Sequence, residues 1–394
     1  MLLATTRLPI VLAALCLAGT PAAAQTQTPA ATPAPAASPS ASPAPAAAPV
    51  PNITWQTNLS GYSLRTTNPN ATGALDTASG ADLVSRTDFS NLTVTVTRNT
   101  GLFRFGATVG AYALPVVGQA VNPTFRRASN TDLYSYVPVA YVQYVPNASW
   151  TLTAGKLPAL LGQESNFTYQ NVSIQRGLGW NAEPAFTRGF RAQYAQGKFT
   201  GTLGFTDGYY SGQLDTLEGL AGWAASGNTT VQFAFVLPPA NVKPNPTAFI
   251  ANKAEGDLML TQQFGKLTLS PYLLWIDSPK NASLGFNGDE RAFAAVMMAN
   301  YSFNPSWSLG GRYESIANRS NVLDTGANAD LVGYGAGSTA STFTLTPAFK
   351  SGHVMIRGEY SSVNLGTFAP GAGFGALGTT SSQTRLGLEA ALQF

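Results

Sequence analysis

Residues 383–394 read QTRLGLEAALQF and alternate strictly in polarity. Leu386, Leu388 and Leu392 fall on one side of this pattern, whereas Arg385 and Glu389 fall on the other. A period of two indicates a β-strand with one apolar face and one polar face. The end of the chain is therefore predicted to be a strand between two different environments.

The same period recurs along the chain from residue 52 onward. Apolar residues alternate with polar or small ones at Leu92, Val94 and Val96, at Phe103, Phe105 and Val109, and at Phe199, Leu203 and Phe205. No segment of this region has the 18 or more consecutive apolar residues that would predict a membrane-spanning helix. We expect an all-β domain.

The composition excludes several classes of protein. Charged residues are only 10% of the 394 residues, against about 25% in an ordinary soluble protein. The net charge of +3 is weak for a nucleic-acid-binding protein, and the single Cys and single His exclude a disulfide scaffold and a Cys/His zinc site. We expect a protein that is not an enzyme, with no cofactor, no metal and no nucleic-acid partner.

The first 51 residues differ from the rest. Residues 1–24 contain Arg7, an apolar run from 8 to 19 and the sequence Ala22-Ala23-Ala24, which predicts a cleaved signal peptide. Residues 25–51 are almost entirely Ala, Pro, Thr and Ser, which predicts a disordered tether. Residues 52–394 are predicted to form the β domain.

Two architectures fit this alternation. The apolar faces point inward in a soluble barrel or sandwich and outward to lipid in a membrane barrel. The signal peptide, charged residues on the polar faces such as Arg312 with Glu314, and the terminal Phe394 favour a membrane barrel. The ending resembles the C-terminal signature that the assembly machinery reads in bacterial outer-membrane barrels. We expect the Gram-negative outer membrane, with its lipid as a partner and the tether in the periplasm.

Turn signals set the number of strands. Short turns are expected at 99–100, 146–149, 196–198, 226–228, 265–266, 303–306 and 351–352, and long polar or Gly-rich segments at 66–85, 114–130, 158–185, 208–214, 238–254, 277–289, 317–341 and 363–381. Short turns belong on the periplasmic side and long loops on the outside. These connections predict sixteen strands, with 215–225 included because the turn alternation otherwise fails. Fourteen and eighteen strands are the alternatives.

The third long segment, 158–185, carries Glu164, Arg176 and Glu183. A loop of this length in a compact domain is usually functional, and a sixteen-stranded barrel otherwise leaves an aqueous channel. We expect this loop to fold into the lumen. The alternative is a flap or a short extra hairpin at the outer rim.

The charge of the lumen sets its ion preference. The inward strand cations outnumber the inward anions, which predicts a mild anion preference, unless these charges are pairs that only hold wall and loop together. The candidate pore-lining residues, including those of the third long segment, are Arg104, Glu164, Arg176, Glu183, Arg188, Arg191, Arg312, Glu314, Arg357, Glu359, Arg385 and Glu389.

Aromatic residues near the predicted strand ends favour an interfacial girdle over a sugar-stacking track. They are Trp55, Tyr144, Trp150, Trp275, Trp307, Tyr313 and Tyr360.

Several central motifs carry a family resemblance. They are Ala154-Gly155-Lys156, Arg176-Gly177-Leu178-Gly179-Trp180-Asn181 with Glu183-Pro184, Arg188-Gly189, and Asp207-Gly208-Tyr209-Tyr210-Ser211. Together they resemble the bacterial OmpL-like β-barrel porin family, and the likeness runs from about residue 53 to 394. The resemblance implies a porin-like outer-membrane barrel but supplies no substrate-contact residues.

These observations predict passive diffusion of small hydrophilic solutes through a lumen that the third loop narrows. The alternative is a plugged structural or adhesive barrel without significant transport. A homotrimer is expected because barrels of this size often pack side by side.

Overall fold

The computed structural model describes residues 53–70, 83–125, 134–208, 212–238, 253–280, 288–320 and 330–394. The predicted signal peptide and tether, residues 1–51, lie outside the described residues and remain predictions. Parts of six of the predicted long segments also lie outside them.

One antiparallel sheet contains all the described strands. The strands are β1 (Thr54–Thr67), β2 (Ser85–Arg98), β3 (Phe103–Tyr112), β4 (Val139–Tyr144), β5 (Trp150–Pro158), β6 (Phe186–Gln196), β7 (Phe199–Thr206), β8 (Thr216–Ser226), β9 (Thr229–Leu237), β10 (Ala254–Phe264), β11 (Leu267–Leu269), β12 (Tyr272–Ser278), β13 (Glu290–Ser302), β14 (Trp307–Asn318), β15 (Thr339–Ser351), β16 (Val354–Thr367) and β17 (Ser382–Gln393).

The sheet is a closed barrel of sixteen strands, as predicted. Segments β11 and β12 count as one barrel strand, since β10 pairs with both on one side and β13 pairs with both on the other. Pro271, which lacks a backbone N–H, lies between the two segments. The barrel closes where β1 pairs with β17, from Asn58 opposite Gln393 to Thr67 opposite Thr384.

The connections alternate in length as predicted. Short turns join β2 to β3, β4 to β5, β6 to β7, β8 to β9, β10 to β11, β13 to β14 and β15 to β16 at one end of the barrel. The strand ends that the eight longer connections join lie at the other end of the barrel. The segment 215–225, which was predicted to be a strand only because the turns would otherwise not alternate, is indeed a strand, β8.

Alternation along the strands separates two surfaces. In β17, Leu386 and Leu388 are 56% and 57% exposed on the outside, whereas Arg385 and Glu389 are each 1% exposed inside. The outward apolar face is the surface that lipid covers in a membrane barrel. Among the described residues, no helix is long and apolar enough to cross a membrane.

Most of the predicted girdle aromatics lie on this outer surface at strand ends. Trp150 and Trp307 begin β5 and β14 beside short turns, and both are exposed. Tyr313 and Tyr360 lie instead near the middle of β14 and β16, so the prediction is wrong for these two. The reason is that both strands continue beyond residues 316 and 362, where the long polar segments were expected to begin.

Neighbouring residues of β7 test the two faces. Leu203 is exposed on the outer face, and Thr202 lies on the inner face. We expect Leu203→Arg to lower the free energy of unfolding in lipid vesicles by about 2 kcal/mol, because a lipid-facing arginine deep in the bilayer costs about 2–4 kcal/mol. Urea unfolding followed by tryptophan fluorescence measures this loss. Thr202→Arg is the matched control, and an equal loss in both variants would contradict the assignment of the faces.

Candidate functional site

The connection between β5 and β6, residues 159–185, is termed the third loop and lies inside the barrel. It contains one turn of 3₁₀ helix, Thr168–Gln170, and a short α-helix, α1 (Leu178–Ala182). Its backbone N–H groups donate to inward carboxylates on three strands: Gly162 to Asp257 on β10, Ile174 to Glu359 on β16, and Leu178 to Glu314 on β14. The loop therefore spans the lumen, and the alternative of a flap at the outer rim is not what the structure shows.

Glu359 is the first anchor of the third loop. Its carboxylate accepts hydrogen bonds from the Ile174 N–H at 2.5 Å, from the Gln175 N–H at 3.2 Å and from the Gln175 side-chain amide at 2.8 Å. Glu359 is only 4% exposed. Several donors on one carboxylate offset the cost of burying its charge, so this contact fixes the backbone at the centre of the loop.

Glu314 is the second anchor and lies beneath the start of α1. It accepts from the Leu178 N–H at 3.1 Å, from the Gly179 N–H at 3.0 Å and from the Thr342 hydroxyl at 2.6 Å. A Cβ atom at Gly177 would overlap the Glu314 carboxylate. The glycines of the motif RGLGW therefore let the loop backbone approach the barrel wall closely.

Arginines of the wall bind the loop carbonyls. Arg357 donates to the Asn171 carbonyl at 2.5 Å and to the Thr168 carbonyl at 3.0 Å, and it is paired with Glu389. Glu389 also accepts from the Thr168 hydroxyl at 2.6 Å. A guanidinium group has five donors in a planar fork, which suits several carbonyls at once.

Two further wall arginines extend this network. Arg312 donates to Glu164 of the loop at 2.5 Å and to the Gln175 carbonyl at 2.9 Å. Arg385 donates to the Gln175 side-chain oxygen at 2.9 Å and to the Val116 carbonyl at 2.8 Å, which joins the third loop to the connection after β3.

The loop supplies its own buried cation. The Arg176 guanidinium lies over the Trp180 ring at 5.1 Å and donates to the Ser165 carbonyl at 3.0 Å, and the residue is fully buried. Arg176 thereby holds the two arms of the third loop together.

Eight of the twelve candidate residues thus meet in one network, which we term the anchor network. Its members are Glu164, Arg176, Arg312, Glu314, Arg357, Glu359, Arg385 and Glu389. All of them are buried, apart from Glu164, which is half-buried as a residue but whose side chain is only 4% exposed.

The pairing inside the anchor network differs from a simple pairing of neighbours along a strand. Arg312 does contact Glu314 at 3.4 Å, but Arg357 pairs with Glu389 on the next strand and not with Glu359. The reason is the register: Arg357 lies directly opposite Glu389, and side chains opposite each other across a pair of strands are nearer than those two residues apart on one strand.

The other four candidate residues lie outside the anchor network. Arg191 on β6 pairs with Glu218 at 2.5 Å, and Arg104 on β3 donates to the Gly101 carbonyl at 3.2 Å. Arg188 pairs with Asp207 at 2.7 Å. It lies three residues before the inward Arg191 on β6, so the alternation of the strand assigns it to the outer face.

Glu183, the fourth, lies at the end of the third loop beside β10. Burial raises the pKa of its carboxyl well above the ordinary value, and the nearby Asp257 carboxylate raises it further.

Sequence reasoning missed several inward groups. Glu218 and Asp257 both lie on inward positions, of β8 and β10. The alternation of polar and apolar residues along these two strands could have predicted that both carboxylates point inward. Gln175, which contacts both Glu359 and Arg385, had no such signal because loop residues follow no period.

A polar surface lies on the inner face of β2 and β4–β7. Its hydroxyl and amide side chains are half-buried or exposed, and they belong to Thr95, Gln143, Thr153, Gln193 and Thr202. On the opposite side, a cavity of about 190 Å³ separates the third loop from β11, β13 and β14, with Gln163, Asn171 and Asn300 in its wall. Polar groups therefore line the space around the anchored loop.

Glu359→Gln tests the anchor network. The loss of charge-assisted hydrogen bonds worth about 2 kcal/mol raises the population of released loop more than about tenfold. We expect trypsin to cut after Arg176 correspondingly faster in the folded protein, as followed by mass spectrometry of the fragments. Glu218→Gln is the matched control, because Glu218 pairs with Arg191 outside the network. Equal cleavage rates in both variants would contradict the anchoring role.

Comparison with solved structures shows the same fold. The outer membrane channel DcaP of Acinetobacter baumannii is 12% identical, with a TM-score of 0.57, over 87% of this chain and 97% of that chain. The anion-selective porin from Comamonas acidovorans is 13% identical, with a TM-score of 0.55, over 87% and 99%. The trimer form of OmpT from Vibrio cholerae is 11% identical, with a TM-score of 0.54, over 87% and 99%.

No curated protein matches the chain. The model of one protein family, described as "Putative beta-barrel porin-2, OmpL-like", matches residues 52–394. This match covers the whole barrel, including the motifs that place the third loop. The resemblance noted in the sequence is thereby confirmed, and the chain belongs to the OmpL-like family of β-barrel porins.

Proposed function

We propose that the protein allows passive diffusion of small hydrophilic solutes across an outer membrane, with the third loop as the constriction of its lumen. The observation that carries the proposal is the anchor network, which holds a loop across a barrel of channel-forming size. A fixed loop defines a fixed opening, whereas a mobile one would not. The proposal requires no chemical step, and the protein acts as a channel rather than an enzyme.

The polar inner face supports this proposal. Side chains such as Thr95, Gln143 and Gln193 hydrogen-bond to water and to sugars or small ions alike, without strong preference. The two structural neighbours named as a channel and as a porin share the barrel. The family supports the same reading.

A mild anion preference is proposed from the cations outside the anchor network. Arg104 is half-buried on the inner face of β3, and its hydrogen bond goes to a carbonyl, not to a carboxylate. Arg191 is another inward cation outside the anchor network, but Glu218 offsets its charge. The charges of the anchor network are largely paired, so Arg104 is the cation that contributes most to selectivity.

Assembly and location complete the proposal. We place the barrel in the Gram-negative outer membrane as a homotrimer, with the tether in the periplasm. The trimer form of OmpT, which has a similar fold, is consistent with this assembly. The exposed ring of Phe394 at the closing strand is accessible to the barrel assembly machinery.

The buried anchor network also favours a second candidate function. A loop bound this tightly could fill the lumen, and the protein would then be a structural or adhesive barrel that conducts little. The two functions differ in one measurable property, which is ionic conductance.

Single-channel recording of the refolded mature protein in planar bilayers separates them. We expect stable ohmic steps, because the anchored loop defines a constant opening. A folded barrel, verified by its heat-modifiable migration on a gel, that gives no steps would favour the plugged alternative.

Arg104→Gln tests the anion preference. In a gradient of KCl we expect the wild-type reversal potential to indicate anion selectivity, and the variant to shift toward cation selectivity because a wall cation is lost. Lys266→Gln is the matched control, since Lys266 lies on the turn after β10 and donates to the Phe303 carbonyl. A cation-selective wild type would contradict the assignment.

A further inference from the structure

Three buried carboxylates meet where the end of the third loop touches β10, and we term them the acidic cluster. They are Glu183 of the loop and Glu255 and Asp257 of β10, and one oxygen from each lies within 4.8 Å of the other two. The residues are 7%, 2% and 0% exposed. None of the three belongs to the anchor network.

The acidic cluster is unsatisfied as it stands. Both oxygens of Glu255, one of Glu183 and one of Asp257 are buried and form no hydrogen bond with any described residue. The second oxygen of Asp257 accepts from the Gly162 N–H at 2.6 Å. Buried charged groups in proteins are normally paired or bound to a metal, because an uncompensated buried charge costs several kcal/mol.

A fourth oxygen points to the same place. The Tyr272 hydroxyl lies beside the Glu183 carboxylate and is buried with it, so it supplies a neutral oxygen next to the acidic cluster. Lys253 brings one positive charge nearby and donates to the Ala182 carbonyl at 3.1 Å. This one cation can compensate at most one of the three carboxyl groups when they are ionised.

From this geometry we propose that the acidic cluster binds one divalent cation, with Ca²⁺ as the best fit. The donor set is hard oxygen, and Ca²⁺ takes carboxylate and neutral oxygens at about 2.3–2.6 Å. Two oxygens on one such ion lie at most about 4.6–5.2 Å apart. One oxygen from each of the three carboxylates falls within 4.8 Å of the others, so one ion can reach all three. Mg²⁺ fits less well because it keeps several waters and needs a near-ideal octahedron.

The bound ion joins the loop to the wall. Glu183 lies at the end of the third loop and Glu255 near the start of β10, so the cation forms a further cross-link at a point that the anchor network does not reach. The Gly162 backbone, whose added Cβ would collide with Glu183, lets the loop close over the site. The site is independent of whether the barrel conducts.

Isothermal titration calorimetry tests the proposal directly. The full mature protein, refolded into detergent without lipopolysaccharide and treated with EDTA, is titrated with CaCl₂ and separately with MgCl₂. We expect one Ca²⁺ per chain, and at least about tenfold weaker binding in both Glu255→Gln and Glu183→Gln, because affinity follows the number of charged ligands. Asp289→Asn, at an exposed acid beside Arg291, is the matched control and retains wild-type binding.

A second readout uses only the wild-type protein and therefore does not depend on whether the variants fold. The temperature at which the wild-type barrel loses its fast gel migration is expected to rise with CaCl₂ and to fall with EDTA. No Ca²⁺ binding by folded wild-type protein would overturn the proposal. So would binding that both Gln variants leave unchanged, or tighter binding of Mg²⁺ than of Ca²⁺, which would overturn the assignment to calcium.

Discussion

The pairing of β1 with β17 is the constraint on which the rest of the structure depends. Lipid offers no hydrogen-bond partner, so an open sheet in a membrane would leave two edges of unpaired backbone groups. The closing register, with Leu59 opposite Leu392, and the reciprocal bonds between Thr57 and Phe394 at 2.8 and 2.9 Å remove both edges. Closure also means that one face of every strand points into the barrel and the other face points out of it. The period of two then becomes a lipid surface and a lumen.

Inside the closed barrel, the backbone of the third loop needs hydrogen-bond partners that the strands already find in one another. Its backbone groups are removed from water, and beyond a single bridge between Arg176 and Val116 the described residues provide no neighbouring strand for them to bond with. The wall supplies charged side chains in place of a strand: carboxylates such as Glu359 accept the loop N–H groups, and Arg357 donates to the loop carbonyls. Each charge is buried together with an opposite charge or with several hydrogen-bond partners, which keeps the cost of burial low. The acidic cluster departs from this balance, because four of its six carboxylate oxygens form no hydrogen bond with the described residues, and this is why a cation is proposed there.

The inward charged residues of this barrel fall into two groups with different roles. Arginines and glutamates that face a lumen set its ion preference, but those in the anchor network are largely neutralised by each other and by the loop backbone. On the proposed function, selectivity would depend on the side of the barrel where the loop is not anchored, at Arg104 and the polar residues of β2 and β4–β7. One side of the lumen fixes the loop, and the proposal assigns the other side to the solute.

The sequence by itself determined the sixteen strands, their turns and the inward face of residues such as Arg312 and Glu389. These follow from local alternation and turn chemistry, which need no knowledge of distant contacts. Only the tertiary structure decided that Arg357 pairs with Glu389, that Gln175 joins two strands to the loop, and that Glu183 meets Glu255 and Asp257. Those contacts join residues far apart in the chain, and their geometry depends on the register and curvature of a closed barrel, which no local pattern specifies.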